Sequence, residues 1–128
     1  MDKLHEIFVC MWEARSIAES TYKEKGYTSD IFRCHEMAEA LAQVFGLTRI
    51  DGYVLNTEHS WVELEDIIID ASLRNLGIIS YGGLVDKVSL SGGLYRKEEL
   101  LTMQLNADFV SFHVHNLQQA IKKEFPNV

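Results

Sequence analysis

At 128 residues, with 47% apolar and 24% charged side chains, the chain is long enough to bury one core and too short for two, so a single domain is expected. A net charge of −7 argues against nucleic-acid binding, which draws its affinity from Lys and Arg neutralising phosphates. No apolar run approaches the length that spans a bilayer, so no membrane contact is expected either.

Residues 3–25 read as an amphipathic helix. Leu4, Ile7, Phe8, Met11, Trp12, Ala18 and Tyr22 recur near the 3.6 period, and Glu6, Arg15 and Glu19 take the other face. Cys10 lies within this helix as a buried or half-buried thiol. Gly26 ends it. The N-terminal segment Met1–Glu6 carries acidic residues and no uninterrupted apolar stretch, so no signal peptide is expected. The two cysteines then read as reduced thiols, and the expected compartment is the cytoplasm.

Thr28, Ser29 and Asp30 offer capping chemistry for a second helix over 31–45, whose inward stripe is Cys34, Met37, Ala38, Leu41 and Phe45. Gly46 closes it. Residues 49–55 have strand composition and Asn56-Thr57 turn composition. His59 to Leu64 alternates as a strand, Glu65-Asp66 turn the chain, and Ile67 to Ala71 form a third strand. Gly82-Gly83 and Gly92-Gly93 mark bends, and a helix is expected near Lys97–Leu105. The last segment has two readings: a strand over Phe109–Val114 followed by a helix from Leu117 capped by Asn116, or one long helix lined by Val110, Val114, Leu117 and Ile121.

Chemistry concentrates in three residues. Cys34 falls near the start of the second helix, where backbone N–H groups and the macrodipole favour the thiolate. A turn of two or four residues sets Leu64 against Ile67 or Glu63 against Ile68, and either places Trp61 opposite Asp70 with His59 diagonal to Asp70 on the same face; an odd-length turn would put His59 and Asp70 on opposite faces. A carboxylate that follows three isoleucines needs a partner, and the imidazole N–H of His59 is a suitable one. Trp61 reads as a packing wall beside His59 and as a substrate-binding candidate. His5 and His35 are expected to face solvent. His113 and His115 would share one face of a strand, but no CxxC or HExxH spacing supports a metal site with Cys34 or His59. Neither a metal nor a cofactor is expected.

With Cys34 and Ala38, Gly46-Leu47-Thr48-Arg49, Gly52-Tyr53-Val54, His59-Ser60-Trp61-Val62-Glu63-Leu64 and Ile69-Asp70-Ala71-Ser72 in this order, residues 30–72 resemble the transglutaminase-like superfamily, the papain-related Cys-His-Asp proteins. Ser60 stands where that pattern usually has alanine, a mild change. Isoleucines stand where a tryptophan commonly precedes the aspartate strand. The resemblance implies an α+β fold over 1–128, with N-terminal helices on a small antiparallel sheet. It also implies a Cys34-His59-Asp70 triad, with Tyr22 or Tyr27 as candidate side chains for the oxyanion. Small stand-alone members resemble peptidases, including the leader-peptide proteases of lasso-peptide maturation. The implied function is therefore amide hydrolysis on a peptide or protein substrate. The alternatives are a catalytically inactive binding or regulatory module and a thioester-dependent acyltransferase.

Overall fold

The computed structural model describes residues 3–26, 34–54, 56–71, 84–86 and 95–126, with the backbone alone at position 34 and over 84–86. The architecture is α+β. In chain order the elements are α1 (Lys3–Glu24), α2 (Cys34–Phe45), β1 (Thr48–Val54), β2 (Thr57–Leu64), β3 (Ile67–Ile69), β4 (Leu84–Asp86), β5 (Tyr95–Lys97) and α3 (Ala107–Glu124). The strands form one antiparallel sheet in the order β4-β3-β2-β1-β5.

Both helix stops read from the sequence are in place. Gly26 and Gly46 adopt φ of +80° and +68°, the left-handed region open to glycine without steric cost. The β2–β3 turn has two residues, Glu65 and Asp66, with Glu65 at φ +53°. Leu64 accordingly pairs with Ile67 and Val62 with Ile69, the expected register. Asn56 lies in the β1–β2 connection, whereas Thr57 is already paired with Val54.

Alternation splits the sheet into two faces. Val62 and Ile69 join α1, α2 and α3 in the main core, with Ile7, Met11, Met37, Leu41 and Leu117. The opposite face carries a second cluster of Val54, Trp61, Ile68 and Tyr95. α1 and α3 run antiparallel, because Tyr22 meets Phe109 and His113 while His5 meets Phe125. The starts of α2 and α3 are tied by the Asn106 N–H donating to Glu36 Oε2 at 2.9 Å. One end of the helical layer thus gathers the C-terminus of α1 with the N-termini of α2 and α3.

Several expectations are corrected. No helix occupies 97–105: Tyr95–Lys97 is a strand paired with β1, and the Glu98 and Met103 N–H groups bond to Asp51 rather than to a preceding turn. The end of the chain is one helix capped by Asn106, so the strand over 109–114 and the Asn116 cap are excluded. Arg15 is not on an exposed face. It is 2% exposed, with Nε donating to Glu19 Oε1 at 2.6 Å and the guanidinium over the Trp12 ring. The expected cap at Thr28–Asp30, the start of α2 at Ile31–Arg33, and the glycine bends at 82–83 and 92–93 lie outside the described residues. No helix among the described residues is long and apolar enough to cross a membrane.

Candidate functional site

The hairpin register carries the site. Trp61 and Asp70 follow the Val62–Ile69 pair, and His59 lies one diagonal further on the same face. Its Nε2 comes within 2.7 Å of Asp70 Oδ2, with both side chains at least 97% buried. Burial of a carboxylate is costly without hydrogen bonds, and the described residues give Asp70 two of them. The second is the Tyr95 hydroxyl, which donates to the same Oδ2 at 2.9 Å. Burial, then the Asp70 charge and this bond, push the Tyr95 phenol well above its ordinary value. Tyr95 was not found from the sequence, because the β1–β5 pairing that brings it under Asp70 leaves no local signal.

Trp61 walls the pair. Its ring stacks on His59 at 6.4 Å and meets Tyr95 edge-on at 5.0 Å. At 1% exposure it is packed into the opposite-face cluster beside these two residues.

α2 approaches this hairpin with its apolar stripe. Met37, Ala38 and Leu41 line a narrow gap together with Ser60, Trp61, Ile69, Asp70 and Ala71. Cys34 is the first residue of the helix; its side chain lies outside the described residues, as does Tyr27. The first turn is fixed by its neighbour. His35 Nδ1 lies 2.6 Å from Ser60 Oγ, so His35 does not simply face solvent as expected, and the Ser60 hydroxyl is engaged.

The remaining candidates are elsewhere. The Tyr22 hydroxyl is directed at His113 Nε2, 3.4 Å away between α1 and α3. His113 is fully buried and His115 exposed on the same helix, so they do not share a face. His5 is exposed, as expected. Cys10 is a buried free thiol, pushed up to about 11 by burial and by the charges of Glu6, Glu13 and Glu124. Among the described residues, no group of three or more His, Cys, Asp or Glu is placed to hold a metal ion.

A cleft of about 280 Å³ opens between α1 and the start of α3, lined by Thr21, Tyr22, Lys25, Asn106, Asp108, Phe109 and Phe112. It lies at the end of the helical layer where α2 begins. Its volume is slightly below the roughly 300–1,000 Å³ of small-molecule sites, nearer the size of one or two side chains.

No family model, no curated protein and no solved structure matches the chain.

Proposed function

We propose that the chain is a transglutaminase-like cysteine hydrolase that cleaves an amide bond in a peptide, with Cys34 as nucleophile, His59 as base and Asp70 as its orienting carboxylate. The observation that carries this reading is the buried His59 Nε2–Asp70 Oδ2 hydrogen bond, held by the same β2–β3 hairpin whose Val62 and Ile69 pack into the core with the helix that Cys34 opens. Helical spacing puts position 34 on the stripe of Ala38 and Leu41, one turn before the residues that share a narrow gap with Ser60, Ile69, Asp70 and Ala71.

With Nε2 committed to Asp70, His59 works through Nδ1. It takes the Cys34 proton, and the carboxylate stabilises the imidazolium that results. The thiolate attacks the amide carbon, and backbone N–H groups at the start of α2 favour the oxyanion. The imidazolium returns its proton to the leaving amine as the C–N bond breaks. Water, deprotonated by His59, then attacks the thioester, releasing the acid and restoring the thiol. The aromatic cleft at the same end of the helical layer suits an apolar side chain of the peptide.

The test is the alkylation rate of each cysteine against pH, followed by mass spectrometry. Cys34 is expected to react rapidly below neutral pH and Cys10 to stay inert. In His59→Ala, the Cys34 rate at pH 6 falls at least about tenfold, the thiolate fraction lost per unit rise in pKa. A Cys34 that titrates as a free thiol regardless of His59 removes the catalytic reading and leaves a binding module.

A further inference from the structure

Beside the proposed triad runs a second chain of polar groups, on the helix-facing side of the sheet. Ser60 Oγ donates to Asp51 Oδ1 at 2.6 Å, and His35 Nδ1 lies 2.6 Å from Ser60 Oγ. A serine hydroxyl has one proton and a carboxylate only accepts, so the Ser60 proton goes to Asp51 and His35 Nδ1 is the donor to Ser60. The His35 tautomer is thereby fixed with its proton on Nδ1.

Asp51 is the anchor. Its side chain is 7% exposed. Its Oδ2 also accepts from Arg49 Nη2 at 3.2 Å and from the Met103 N–H at 3.1 Å. Arg49 reaches back to α2, with Nη1 donating to Glu39 Oε1 at 3.0 Å. The helix is therefore fastened to the sheet at residues 35 and 39, one turn apart, and both fastenings converge on Asp51.

The placement matters because it runs one residue aside of the proposed pair on both elements. His35 follows Cys34 on α2, and Ser60 follows His59 on β2. We propose that Ser60 and Asp51 are positioning residues: the His35–Ser60–Asp51 relay sets the first turn of α2 against β2, and so sets the nucleophile against its base. This inference rests on the Cys-His-Asp reading above. It gives the serine a task that an alanine between His59 and Trp61 cannot perform.

The experiment compares wild type, Ser60→Ala, Ser60→Thr and Asp51→Asn in the full chain. Cys34 alkylation is followed against pH, the His35 tautomer by imidazole nitrogen NMR, and thermal unfolding in parallel. Wild type shows His35 protonated on Nδ1. In Ser60→Ala that signature disappears and the Cys34 rate at pH 6 drops about tenfold or more, as for a pKa rise of a unit, while the folded state persists. Ser60→Thr, which keeps the hydroxyl, restores most of the rate, and Asp51→Asn behaves like Ser60→Ala. Should Ser60→Ala not fold, His35→Asn cuts the same relay at the helix and carries the comparison. A reactive wild-type Cys34 whose pH profile is unchanged once the relay is cut overturns the inference and leaves the triad reading standing. A wild-type Cys34 that titrates as an ordinary thiol overturns the triad reading, and the positioning role with it.

Discussion

The most demanding residue in the molecule is Asp70, a buried carboxylate whose Oδ2 meets both the His59 ring and the Tyr95 hydroxyl. Two strands bring those partners, and Gly52 makes the approach of the second possible. Gly52 stands opposite His59 on β2 and opposite Lys97 on β5. A Cβ there would run into the Arg96 carbonyl oxygen and sit 3.0 Å from Trp61 Cη2. The obstacle on the β5 side is backbone, which cannot swing aside as a flexible side-chain tip does. Gly52→Ala should therefore push β5 outward, weaken the Tyr95–Asp70 bond and destabilise the fold by about 1–3 kcal/mol, the usual cost of overpacking. Denaturant unfolding measures this. A loss below about 0.5 kcal/mol, the range of neutral surface changes, would show that β5 does not press on Gly52 as described.

At the scale of elements, α3 shows what decides a helix. Asn106 accepts from the Asp108 and Phe109 N–H groups, while its own N–H goes to Glu36. Asn106→Ala removes the side-chain cap but keeps the backbone tie to α2. It should cost about 1 kcal/mol, a few degrees in Tm by calorimetry; an unchanged Tm would mean that the cap contributes nothing to this helix. The same element shows where sequence reading divides. Phe109–Val114 is aromatic and β-branched enough for a strand, and only the longer 3.6 period through Leu117 and Ile121 selects the helix. Glu98 to Leu101 have helix-forming composition, yet the Glu98 N–H is held by the Asp51 carbonyl from 47 positions away, a tertiary contact that overrides propensity. The β2–β3 hairpin was legible because everything it needs is local: alternation, a two-residue turn, and a carboxylate in search of a partner. Tyr95, Asp51 and the relay through Ser60 were not, since each depends on a pairing between distant strands or between strand and helix.

For the whole molecule, the sheet separates two apolar clusters, and each holds one group whose ionisation the fold opposes. Cys10 belongs to the helical core, with its thiol pushed from 9.0 to about 11. Tyr95 belongs to the opposite cluster, with its phenol raised from 10.0 by burial and by Asp70. In both cases the native state holds the proton more tightly than the unfolded chain, so stability falls wherever the unfolded chain has released it and the native state has not. The Cys10 contribution is intact below about pH 9 and is lost between 9 and 11; the Tyr95 contribution is intact below about pH 10 and is lost above it. Unfolding free energy should therefore decline from pH 9 and more steeply above 10. Tyr95→Phe makes the origin visible, because its two effects have opposite signs. Losing a buried hydrogen bond to a carboxylate lowers the neutral plateau by about 1.5–3 kcal/mol, while losing the phenol flattens the decline above pH 10. Denaturant titrations of wild type and Tyr95→Phe from pH 7 to 11 read both at once. An alkaline limb as steep in the variant as in wild type would show that Tyr95 ionises without opposition, and that the contact with Asp70 is not closed to water in solution.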